Sequence, residues 1–165
     1  MSVKRSPGSY RFVALTCAML LMLGMQLGGF QLALSSASAQ FGVGETGMGL
    51  LVAAQYSSMI ISPLLFGGLA DRYGKKPVLM TGAVSILLGS ALAARAPAAG
   101  LYALGIFFVG AGGMIVESVC SAAVSDLHPS ESNRLITLTQ FFFSSGAILG
   151  PLGLQWAMDL SLIHI

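Results

Sequence analysis

The sequence predicts an all-α integral membrane bundle, on three observations: an apolar composition, five long apolar runs, and short links between them. Apolar residues fill 55% of the 165 positions and charged residues 8%, with a mean hydropathy of +0.83. So few polar side chains cannot cover a water-soluble globule of this size, and lipid is the natural solvent. The net charge of +2 is too small for a nucleic-acid footprint. The basic residues fall in short clusters between apolar runs, as topology signals do.

A helix that closes its own backbone hydrogen bonds needs about 20 largely apolar residues to cross the hydrocarbon core. The first such stretch is 12–34, behind the basic residues Lys4, Arg5 and Arg11. A cleaved signal peptide is the competing reading, because Ala37, Ser38 and Ala39 make a small-residue cleavage site. Against it, the apolar run exceeds the roughly 7–15 residues of a signal core. The second stretch is 48–70 and the third 78–94, opening just after Pro77, a residue suited to a first helical turn. The fourth is 101–124 and the fifth 135–158. Short links with Gly, Pro and Ser at or near the turns make successive helices antiparallel neighbours.

Orientation follows from the basic residues. Of the 8 Lys and Arg residues, all but Arg95 fall on one side of the threaded chain: Lys4, Arg5, Arg11, Arg72, Lys75, Lys76 and Arg134. The positive-inside rule then places the N-terminus in the cytoplasm of a multi-pass protein of the cell (inner or plasma) membrane. Cys17 and Cys120 each sit inside an apolar run without metal-ligand spacing and read as small hydrophobes. Residues 160–165 are what the codons CTG TCT CTT ATA CAC ATC encode, a match to a common transposase sequencing adapter. They are read as adapter, with a short native tail as the alternative, and His164 carries no functional weight.

The most specific motif joins the second and third stretches: Gly67, Leu69, Ala70, Asp71, Arg72, Gly74, Lys75 and Lys76. Gly74 allows a sharp reversal that a side chain would hinder. Asp71, at the C-terminal end of a helix, faces the negative pole of the dipole and calls for a positive partner. Arg72, Lys75 and Lys76 are nearby candidates. A plain basic anchor with a turn is the bland alternative. The segment resembles the signature loop of the major facilitator superfamily and fills every position of that pattern. The resemblance implies a secondary transporter whose halves rock about a site near the membrane midplane. It also implies that Asp71 pairs with a helix N-terminus in a second half, as a cytoplasmic latch. On this reading residues 1–159 are five of the six helices of one half, a C-terminal half is the missing partner, and the chain alone is not expected to transport.

Glu117 is the only charged side chain well inside an apolar span. A carboxylate there costs about 3 kcal/mol on insertion scales, so it faces a cavity or partner and is suited to carry a proton. The alternative is a glutamate hydrated near the interface. Gly110, Ala111, Gly112 and Glu117, then Asp126, His128 and Pro129, then Thr139, Gln140, Phe141, Ser144 and Gly146 resemble the fucose permease group of sugar:proton symporters. That resemblance implies a role for Glu117 in proton coupling, assisted by an aspartate on the first helix. Here the first span holds no acid and offers Gln26 and Gln31 instead.

Drug:proton antiporters of the same superfamily are the competing resemblance. Gly146, Gly150, Pro151 and Gly153 match their Gly-Pro motif, but Leu154 and Gln155 stand where paired glycines are expected, and Ile106 where an arginine is expected.

Gln26, Gln31, Gln55, Tyr56, Gln140 and Ser144 are candidates to line a solute path, with Gln140 and Ser144 on one helix face. The alternative for each is an interhelical hydrogen bond of about 1 kcal/mol or less. Gly24 with Gly28, and Gly146 with Gly150, have the spacing of close-packed membrane helices. The expected partners are therefore a small solute, protons and lipid, with no cofactor and no metal. An enzyme is disfavoured because intramembrane hydrolysis needs paired acids, a Ser/His pair or a metal cluster. A non-transporting sensor or assembly protein would share the same bundle.

Overall fold

The computed structural model describes residues 7–163, which form five helices and their links. They are α1 (Pro7–Phe41), α2 (Glu45–Tyr73), α3 (Lys75–Ala94), α4 (Ala99–Leu127) and α5 (Ser132–Ile163). All five are long and apolar enough to cross a membrane. Even α3, with 20 residues, extends about 30 Å at 1.5 Å per residue, the thickness of the hydrocarbon core. Lys4, Arg5, His164 and Ile165, which entered the orientation and adapter readings, lie outside the described residues.

The predicted spans are corrected at their ends. The sequence placed them at 12–34, 48–70, 78–94, 101–124 and 135–158, and every helix runs further except at Ala94, where α3 stops as expected. Hydropathy marks only the segment matched to hydrocarbon, while a helix continues into polar sequence until the backbone is turned. α1 therefore passes through Ala37, Ser38 and Ala39 and stops at Phe41. Gly42 then takes φ +62° and the Val43 N–H donates to the Ser38 carbonyl at 3.2 Å, the six-to-one closure of a Schellman cap. Pro97 precedes α4 and Pro129 follows it, both outside the helix interior as the missing N–H requires. Pro63 and Pro151 are the exceptions, lying inside α2 and α5.

The chain divides into two compact units, with the boundaries inside α1 and α4. Unit 1 comprises Met1–Ala33 and Ser121–Ile165; unit 2 is Leu34–Cys120. In unit 1, Val13, Cys17, Val124 and Leu135 form an apolar core flanked by Phe12, Ile136 and Phe142. Above all, α1 and α5 meet backbone to backbone. A Cβ on Gly24 would collide with the Phe143 carbonyl, on Gly28 with that of Ala147, on Gly146 with that of Leu21 and on Gly150 with that of Met25. Both glycine pairs are thus the contact surface that lets the helices approach. At one end of this unit the Tyr10 hydroxyl donates to Glu131 Oε2 at 3.3 Å. The Tyr10 ring packs on His128 at 4.8 Å between centroids.

Unit 2 holds α2, α3 and most of α4 around Ala70, Val78, Ile115 and Val119. Here too glycines set the spacing. A Cβ on Gly89 would lie 2.6 Å from the Gly105 carbonyl oxygen, and one on Gly105 would lie 2.8 Å from that of Gly89. Both cysteines are free and buried, Cys17 among the core residues of unit 1, as their apolar surroundings predicted.

Candidate functional site

The α2–α3 hairpin is built by one residue. Gly74 alone separates the two helices, at φ 91° and ψ 157°, a region that essentially only glycine occupies. Ala70 and Val78, on either side of the turn, are buried with Ile115 and Val119 of α4, so the loop pattern places its alanine where the hairpin presses on its neighbour. Asp71 lies in the last turn of α2, as expected, and is exposed. The Arg72 guanidinium sits over the Tyr73 ring, 5.4 Å from its centroid. Lys76 is exposed and Lys75 partly buried, in the first turn of α3 ahead of Pro77. A Cβ on Gly67 would meet nothing within 4 Å, so packing among the described residues does not account for that glycine.

Glu117 lies on α4, ten residues before the helix ends at Leu127, and is partly buried. Gln55 of α2 is in the same unit and is 1% exposed. It touches α4 at Gly110, where a Cβ would lie 2.8 Å from the Gln55 carbonyl oxygen and 3.1 Å from its Cγ. Its Oε1 has no hydrogen-bond partner among the described residues. Tyr56, the next residue, points away and is exposed.

The remaining candidates belong to unit 1. Gln26 is partly buried and Gln31 exposed on α1; Gln140 is partly buried and Ser144 exposed on α5. Gln26 stands two residues from both Gly24 and Gly28, and Ser144 two residues before Gly146, so each lies on the far side of its helix from the glycine crossing. Gly150 and Pro151 follow one another within α5.

Sequence reasoning passed over Ser58 and Ser62, which are 0% and 3% exposed on α2, and Thr16, buried in unit 1 as is Thr139 of the quoted α5 motif. A signal for the serines was present. Gln55, Ser58 and Ser62 recur at i, i+3 and i+7, one face of a helix, ending at Pro63. Among the described residues no three His, Cys, Asp or Glu side chains come close enough to hold a metal ion.

Five membrane-length helices, the second and third joined by this hairpin, suit the superfamily that the loop pattern resembles, and a family comparison decides the matter. The profile of the Major Facilitator Superfamily matches residues 14–161. The chain belongs to the major facilitator superfamily. As a superfamily member it is a multi-pass membrane protein. Among similar curated proteins are the multidrug resistance proteins MdtH of Yersinia enterocolitica, Yersinia pestis and Yersinia pseudotuberculosis. Each is 34% identical over 97 residues, which is 58% of this chain and 24% of the relative. The superfamily match thus covers far more of the chain than the likeness to any one of these relatives. No solved structure gives a significant match.

Proposed function

We propose that this chain forms part of a secondary active transporter that moves a small polar solute across the cell membrane by alternating access, with Glu117 carrying the coupled proton. The observation that carries the reading is the α2–α3 hairpin, with every position of the superfamily loop filled and Gly74 held at φ 91°. A reversal this tight lets the hairpin end act as one rigid piece. Asp71, exposed at the negative end of the α2 dipole, is then available to a positive partner elsewhere in the protein, in keeping with a latch that opens and closes. The basic clusters favour a cytoplasmic N-terminus and a cytoplasmic hairpin.

Proton coupling rests on the place of Glu117. A carboxylate ten residues inside a membrane helix is costly when charged and cheaper when protonated, so moving it between dry and hydrated surroundings moves a proton with it. Gln26, Gln31, Gln55, Gln140 and Ser144 are the proposed polar contacts for the solute along its path.

In the protein expressed from its complete reading frame, Glu117→Gln should abolish the pH dependence of solute accumulation in proteoliposomes. Exchange of solute at equal pH should persist. Accumulation that still follows an imposed pH gradient in Glu117→Gln would remove the glutamate from the mechanism.

A second reading, export of drugs or metabolites in exchange for protons, is favoured by the names of the MdtH relatives and by Gly146, Gly150 and Pro151 on α5. Ile106 weighs against it, because an apolar side chain stands where such antiporters present a cation. The direction of solute movement under an inward proton gradient separates the two.

A further inference from the structure

The buried face of α2 leaves a hydrogen-bond problem that the solute contact proposed for Gln55 does not resolve. Gln55, Ser58 and Ser62 are all at most 3% exposed and share one helix face. Ser58 Oγ donates to the Gln55 carbonyl at 2.6 Å and Ser62 Oγ to the Ser58 carbonyl at 2.6 Å. A hydroxyl has one hydrogen, so each serine oxygen is left with acceptor capacity only. Pro63, inside the same helix, has no N–H, so the Met59 carbonyl lacks its helical donor. Gln55 Oε1 adds another acceptor without a partner among the described residues. A buried acceptor left unmet, such as Gln55 Oε1, is costly, and the two serine oxygens beside it keep lone pairs that can accept from the same donor.

The same face meets α4. Gly110 packs on Gln55 and Ser58. Glu117 follows Gly110 by seven residues, two helical turns and about 10 Å further along the same face of α4.

We propose that this acceptor-rich face of α2 binds a short file of water molecules and is the route by which protons reach Glu117. Water and hydronium are the ligands that the chemistry selects, being donors small enough for a site lined by a glycine and two serines. Each step is a proton transfer. A hydronium ion passes a proton to the next water, the last water passes one to the Glu117 carboxylate to give the neutral acid, and the return runs in reverse. Gln55 and Ser58 are positioning residues that hold the file without being protonated themselves. The inference rests on Glu117 carrying a proton, and its test is separable from that of solute transport.

The test uses the protein from its complete reading frame in lipid nanodiscs, rapidly mixed with deuterium oxide at a pH where the Glu117 acid is present. The carboxylic-acid carbonyl band in the infrared, identified by its loss in Glu117→Gln, reports hydrogen exchange at that side chain. Gln55→Leu, of similar size but unable to hold water, should slow the exchange by about tenfold or more, and Ser58→Ala should slow it in the same direction. Gln55→Asn, which keeps an amide, should restore a rate within about threefold of the unsubstituted protein. Exchange as fast in Gln55→Leu and Ser58→Ala as in the unsubstituted protein overturns the conduit. So does a Gln55→Asn rate as slow as that of Gln55→Leu, which would mean that side-chain shape alone matters. If no band is lost in Glu117→Gln, the glutamate carries no proton and both proposals fall. If Glu117→Gln uncouples transport while Gln55→Leu exchanges normally, only the conduit fails.

Discussion

Gly74 shows how much a single residue can decide. At φ 91° and ψ 157° even an alanine would be strained, by about 1–3 kcal/mol, and nothing else lies between α2 and α3 to absorb the change. Gly74→Ala should therefore lower the thermal unfolding midpoint of the purified protein in nanodiscs by an amount that corresponds to that range. Asparagine should rescue little, because ψ 157° lies outside the left-handed helical region that asparagine tolerates. Gly67→Ala is the control, since its Cβ would meet nothing within 4 Å. Gly74, Asp71 and Glu117 were legible in the sequence because each departs from its surroundings: a glycine between two helices, a carboxylate at a negative dipole end, a charge in an apolar run. Ser58 and Ser62 were not. Their hydroxyls turn back onto their own helix, so no exposed polar stripe betrays them, and only the spacing to Gln55 and Pro63 marks the face.

At the scale of the helix, packing follows from what is missing at the glycines. The α1–α5 crossing places backbone carbonyls where the side chains of Gly24, Gly28, Gly146 and Gly150 would be, and backbone cannot yield as a flexible side chain can. Gly24→Val should destabilise the protein by about 1–3 kcal/mol or more, the usual effect of overpacking. Gly153→Ala, with nothing within 4 Å of the new carbon, should be close to neutral. Unfolding in graded detergent mixtures compares the two. The four-residue glycine spacing was visible beforehand, whereas the pairing of α1 with α5 depends on tertiary placement that no single run of sequence encodes. Helix ends were misjudged for a related reason. Apolar residues report the span that lipid covers, but Gly42 and Gly74 end α1 and α2 several residues further on.

At the scale of the molecule, the claim on which the rest depends is that the polypeptide crosses the membrane five times in alternation. The class was readable from composition alone, since 8% charged residues cannot cover a soluble protein of this length, and the loop pattern narrowed it to a superfamily that the profile match then established. Solute, direction and coupling were not readable in the same way. They depend on a few polar side chains, such as Gln31, Gln140 and Glu117, whose types recur in helix packing and in transport alike. The threading itself can be measured directly. Single cysteines introduced beside Gln40 and beside Lys76, in a background lacking Cys17 and Cys120, are challenged with a membrane-impermeant thiol reagent in intact cells and in inverted vesicles. The account predicts labelling of the site at Gln40 in cells and of the site at Lys76 only in inverted vesicles; both sites labelling from the same side would contradict it.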